Sequence, residues 1–157
     1  MDKVRAEILQ MDNPLTNAAR ISISASASKI FDYLADPYAH AYFDGSGTVN
    51  KASRAPERLY LGAKFGMGMK IYIPYRITNT VVAFEEGKLI TWKHLGGWTW
   101  SYQLKVINEN LTEVTEVFDL NPAPALGKWW VKRTKSLERN GKWMAKSLVL
   151  LKALSEQ

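Results

Sequence analysis

Asp32, Asp36, His40 and Asp44 recur every four residues, a spacing that stacks three carboxylates and an imidazole on one face of a continuous helix. Such an array could hold a metal ion or relay protons. Pro37 stands inside it, however, and the residue before a proline avoids the helical region, so the spacing loses its meaning. The plainer reading is a helix with a polar surface followed by a turn-capping Asp44, and no metal site is expected. His94 is in phase with Ile90 and Trp92, which turns it toward whatever those side chains cover. Burial there could bring an imidazole into proton-transfer range; the competing reading is an inert, hydrogen-bonded histidine beside the Gly96-Gly97 turn. Glu116, in phase with Val114 and Phe118, is a candidate inward carboxylate, and buried carboxylates need partners. Tyr102 joins His94 and Glu116 as the third acid–base candidate. Tyr72, Arg76 and Arg133 are further polar candidates, Arg133 being placed to pair with Glu116 or to clamp an acidic ligand, although solvent exposure of Glu116 and Arg133 is the simpler expectation.

Other chemistries are closed off. The chain has no cysteine, which excludes thiol catalysis, disulfides and cysteine-based zinc sites. Two histidines and no nucleophile elbow leave no Ser-His-Asp order to argue. Gly45-Ser46-Gly47 and Gly66-Met67-Gly68 lack both the strand-to-helix context and the Lys-Ser/Thr ending of a phosphate loop. No cofactor is expected.

The elements that must position these residues are legible from periodicity. Residues 1–18 fit a helical stripe or a strand equally well, up to Asn13-Pro14. Arg20 to Ala25 alternates as a strand. Ser26 or Ser28 can cap a helix with Ile30, Phe31 and Leu34 on its apolar face, ended by Pro37, and a second short helix fits Tyr38 to Phe43. From there to about Leu120 strand follows strand: Phe65, Met67, Met69, Ile71 and Ile73 share one face, and Trp98, Trp100, Tyr102, Leu104 and Val106 alternate strictly with polar residues. Leu126, Trp130, Leu137, Met144, Leu148 and Leu151 then recur at three-, four- and seven-residue spacing, the stripe of one long helix lying on a core, with Gly141 marking a close contact or a kink. Hairpin after hairpin implies an antiparallel sheet, and the fold class is α+β: a curved sheet of about seven strands wrapped around a long C-terminal helix, with two short helices after the first strand. The 157 residues carry no linker or repeat and are read as one domain, with 1–18 as an extension and 20–155 as the core.

Ile23-Ser24-Ala25-Ser26-Ala27-Ser28-Lys29-Ile30-Phe31-Asp32-Tyr33-Leu34-Ala35-Asp36-Pro37 resembles the opening of the START-like, or SRPBCC, superfamily in its polyketide cyclase/dehydrase and lipid-transport branch. The likeness continues through His40, Asp44-Gly45-Ser46-Gly47, Pro74-Tyr75-Arg76-Ile77, Trp92-Lys93-His94 and Phe118-Asp119. It implies a helix-grip fold with a pocket between sheet and helix. Ala41 and Phe43 stand where the pattern often has proline and tryptophan, and Trp98 where it often has histidine, which weakens a cyclase-like reaction at that position.

The expected function is therefore binding, transport or sensing of a small hydrophobic molecule, such as a lipid, an isoprenoid or a polyketide-like compound. The expected pocket residues are Phe65, Met67, Tyr72, Trp92, His94, Trp98, Trp100, Tyr102, Trp130, Arg133, Met144 and Leu148. The alternative is a cyclase- or dehydratase-like enzyme using His94, Tyr102 and Glu116. A third reading starts from the net charge of +6 and from Lys128, Lys132, Arg133 and Lys135 beside Trp129 and Trp130, a segment that could dock on an anionic surface. Its simpler interpretation is a solvated helix start flanking buried tryptophans, so no nucleic-acid partner is expected. Charges interrupt the first residues, and the longest aliphatic run, Leu148 to Leu151, is too short to span a bilayer, so a cytoplasmic protein without stable membrane insertion is expected. A homodimer stays open.

Overall fold

The computed structural model describes residues 3–47, 49–70 and 74–157. Eight strands form one antiparallel sheet: β1 (Glu7–Leu9), β2 (Thr16–Ile23), β3 (Val49–Ser53), β4 (Lys64–Lys70), β5 (Pro74–Glu85), β6 (Leu89–His94), β7 (Thr99–Asn108) and β8 (Leu111–Asp119). Their order across the sheet is β1-β2-β8-β7-β6-β5-β4-β3. The meander from β3 to β8 returns the chain to β2, and the eighth strand is β1, which resolves the undecided N-terminal segment by pairing Glu7 to Leu9 with β2.

Helices α1 (Ala27–Ala35) and α2 (His40–Phe43) carry the chain from β2 to the far edge. Ser26 caps α1 by accepting from the Lys29 amide at 3.2 Å, and Ile30, Phe31, Leu34 and Ala35 are its buried face. Ser26→Ala should cost about 1 kcal/mol, read as a lower midpoint in thermal unfolding.

The C-terminal stripe is not one helix. It divides into α3 (Ala125–Arg133) and α4 (Ser136–Ser155) at Lys135, whose φ of 56° is left-handed. The apolar spacing runs on through the break because both helices touch the protein body, but only α4 lies along the sheet. It buries Asn140, Gly141, Met144, Ser147, Leu148, Leu151 and Ser155. Gly141 marks a close approach, since a Cβ there would stand 3.3 Å from Ile8 of β1. Met144, Leu148 and Leu151 belong to one core with Ile21, Ile23, Leu104 and Val114 of the sheet. Val106, although in phase with Tyr102 and Leu104, is exposed, because the hairpin beyond Leu104 projects past the helix-covered face.

Candidate functional site

Strand register sets the inner wall in rows. Val81, Trp92, Trp100, Phe118 and Asn17 are successive cross-strand partners, and the next row runs Ile90, Tyr102, Glu116, Ala19. Alternation along each strand sends both rows to the face that α1 and α4 cover. Trp100 packs on Phe118 with ring centroids 4.7 Å apart, and Trp92 stands 5.7 Å from Tyr102.

Helix α2 closes this wall from the side. His40 is buried, stacked on Trp92 at 5.0 Å and edge-on to Phe43 at 5.4 Å and Phe65 at 5.7 Å. Its Nε2 lies 2.9 Å from the Leu34 carbonyl, which can only accept, so that nitrogen carries the hydrogen. Burial pushes the imidazole pKa below its ordinary value, against the opposing pull of the Leu34 carbonyl and of Asp36 and Asp44. The turn after α2 is tied to α4: the Gly45 amide donates to Ser147 Oγ at 2.7 Å, and Ser46 Oγ donates to the Asp44 carboxylate at 2.8 Å.

Opposite Tyr102 on the neighbouring strand, Glu116 is almost completely buried. Desolvation raises its carboxyl pKa well above the ordinary carboxylate value; the Asp44 charge adds to the rise and interaction with the Tyr102 hydroxyl opposes it. The Tyr102 phenol is raised as well, by desolvation first and then by Glu116 and Asp44. Glu116 Oε2, Asn140 Nδ2 and Asn17 Oδ1 are buried polar atoms with no hydrogen-bond partner among the described residues. Asn17 does donate to the Leu137 carbonyl at 3.1 Å, which ties β2 to the start of α4. The wall is thus aromatic, and between sheet and helix it carries carboxyl and amide groups with unused hydrogen-bonding capacity.

Of the sequence candidates, Phe65, Met67, Tyr102, Glu116, Met144 and Leu148 are buried, and Trp92 and Trp100 are half-buried. Tyr72 lies outside the described residues, as does the side chain of Arg76. His94, Tyr102 and Glu116 do not assemble: His94 is four residues along β6 from Ile90, the partner of Tyr102, about 13 Å at strand spacing. Instead, His94 Nδ1 accepts from the Gly96 amide at 2.8 Å and the ring stacks on Trp98 at 4.2 Å. Burial lowers its pKa to about 4. Trp98 folds over Gly96, where a Cβ would strike its ring, so both residues belong to the β6–β7 turn. Trp130 is 56% exposed and Arg133 is exposed, because α3 buries only Gly127 and Val131; neither faces Glu116. The histidine that does join the wall, His40, was hidden within the Asp-His spacing that Pro37 makes meaningless. Asn17 and Asn140 gave no signal beyond their phase with apolar neighbours.

Among the described residues no group of three or more His, Cys, Asp or Glu side chains could hold a metal ion, and no helix is long and apolar enough to cross a membrane.

No protein-family model matches the chain. It is 38% identical over 107 residues to the uncharacterized protein Rv0088 of Mycobacterium tuberculosis strain H37Rv, a match covering 68% of this chain and 48% of the relative. A second strain of the same species, CDC 1551, has the uncharacterized protein MT0096, 37% identical over the same length. The chain spans about half the length of the curated relatives it matches. In structure it is similar to protein Ms6760 of Mycobacterium smegmatis, with a TM-score of 0.68 at 14% identity over 96% of this chain and 97% of that one. It is also similar to the Polyketide_cyc-like protein Cgl2372 of Corynebacterium glutamicum, with a TM-score of 0.60 at 17% identity over 92% and 93%. An antiparallel sheet closed on a long C-terminal helix, shared with these structures over nearly the whole chain, gives this protein an α+β helix-grip fold.

Proposed function

We propose that the protein binds a small, mainly apolar molecule between the sheet and α4, and that the bound molecule carries a neutral hydroxyl or carbonyl group. Lipids, isoprenoids and polyketide-like compounds bearing such a group fit this description. The observation that carries the reading is the buried Glu116–Tyr102 pair, set in an aromatic wall with Glu116 Oε2 and Asn140 Nδ2 unpartnered among the described residues. Pockets of this kind are apolar with a few placed polar groups that fix orientation. A carboxyl whose pKa is raised by burial stays protonated to higher pH and donates to a carbonyl or hydroxyl, whereas a ligand carboxylate would face both Glu116 and Asp44. Binding is favoured over turnover because His94 stands two side-chain rows from the pair.

Trp100 and Leu104 share a face of β7, but Trp100 is half-buried and Leu104 is buried. Leu104→Ala should lower stability by about 2–3 kcal/mol and leave binding of an apolar fluorescent probe nearly unchanged. Trp100→Ala should weaken probe binding more and stability less. The opposite ordering in paired unfolding and binding titrations would make Trp100 ordinary core and remove the aromatic wall from the pocket. Displacement of the probe by a long-chain alcohol should be stronger than by the carboxylic acid of the same length.

A further inference from the structure

Helix α3 presents an apolar surface outward. At 3.6 residues per turn, Trp129, Arg133, Leu126 and Trp130 fall in that order within an arc of about 100°. Gly127 and Val131 are buried on the other side. Leu126 is 75% exposed, Trp129 57% and Trp130 56%. The β6–β7 turn is packed against this helix, since a Cβ on Gly127 would lie 2.3 Å from the Gly96 carbonyl, and that turn adds Leu95, 78% exposed. Lys128 and Lys132 border the arc on one side, Arg133 stands within it, and Lys135 comes just after the helix. No acidic residue occurs between Asp119 and Glu138. An exposed apolar arc bordered only by cations is the pattern of a helix lying in a bilayer interface.

We infer that α3 and the β6–β7 turn form a docking surface for an anionic membrane, with Trp129, Trp130, Leu126 and Leu95 entering the interface and Lys128, Lys132, Arg133 and Lys135 meeting lipid phosphates. Charge complementarity selects the partner: four cations without a carboxylate suit an anionic headgroup layer and exclude a basic or mixed-charge protein face. The two exposed leucines favour lipid over nucleic acid, because aliphatic side chains give bases nothing to stack on. Tryptophan is suited to this boundary, its ring apolar and its N–H wet. Docking is peripheral, and this surface is distinct from the Glu116–Tyr102 wall, so the inference stands apart from the proposed ligand.

The test is flotation of the purified full chain with vesicles of phosphatidylcholine alone or phosphatidylcholine with phosphatidylglycerol. The wild type should float with the anionic vesicles only, and binding should fall as salt rises. Lys132→Glu/Arg133→Glu should weaken binding at least about tenfold. Trp129→Ser/Trp130→Ser should do so even at low salt, with an unchanged unfolding midpoint because both rings are exposed. Equal binding to neutral vesicles, no binding to either, or indifference to the tryptophan pair would overturn the proposal. Salt-sensitive binding of single- or double-stranded DNA that displaces the vesicles would also overturn it and assign the surface to nucleic acid.

Discussion

Alanine at position 45 should destabilise the protein by on the order of 4–5 kcal/mol, enough to leave a marginal domain largely unfolded. The reason is backbone, not side chain. A Cβ on Gly45 would stand 2.2 Å from the Trp143 carbonyl and 2.6 Å from the Ser147 amide, both main-chain atoms of α4 that cannot swing aside. Relief requires moving the turn after α2, which breaks the Gly45 amide bond to Ser147 Oγ. Chemical denaturation of Gly45→Ala beside Gly47→Ser separates this contact from general turn effects. Gly47 has open space around its Cβ position and a φ of 69°, so serine there should cost only the modest strain of a left-handed residue. Comparable losses in the two variants would contradict the close packing of the turn on α4.

Glu116→Gln should change the pH dependence of stability in a direction opposite to the usual acidic residue. Burial raises the Glu116 carboxyl pKa well above its reference value of 4.5. Between that reference value and the folded one, the native protein holds a proton that the unfolded chain has released. Stability therefore falls as pH rises through this window, by up to about 1.4 kcal/mol per pH unit. Glutamine has the same shape and no charge, so the variant should lose that decline, and its unfolding midpoint should gain on the wild type as pH rises above 4.5. The histidine contribution should be common to both proteins. His40 and His94 have folded pKa values lowered from 6.5, in His94 to about 4, so stability is lost as pH falls below 6.5, when the unfolded histidines protonate first. A wild-type stability curve that runs parallel to that of Glu116→Gln at every pH above 4.5 would show that Glu116 is hydrated and the wall open to water.

Local signals in the chain were enough for α1, which Ser26 opens and Pro37 keeps from running on, and for β7, where strict alternation separates Tyr102 and Leu104 from Gln103 and Lys105. The inward phase of Glu116 was legible in the same way, from Val114 and Phe118. Contacts distant in sequence set the features that local pattern could not show. His40 owes its burial to a stack on Trp92, 52 positions away. The break between α3 and α4 lies at Lys135, a residue type that carries no turn signal, within an apolar spacing that never lapses. The same break accounts for Trp130: a tryptophan in a helical stripe reads as core, yet the change of direction at Lys135 turns its helix outward.

The left-handed residue at the end of α3 also bears on how the molecule opens. A nine-residue helix is too short to persist alone, and this one is anchored through only Gly127 and Val131. Its cooperative unit is therefore separate from that of α4, whose amides are held by the core. The amides of α3 will exchange with solvent through a local opening far below the cost of global unfolding, and the pivot at Lys135 lets that opening proceed without unwinding the first turn of α4. Where α3 lifts, Gly127 withdraws from the Gly96 carbonyl, so the opening of this helix and the exposure of the β6–β7 turn should occur together.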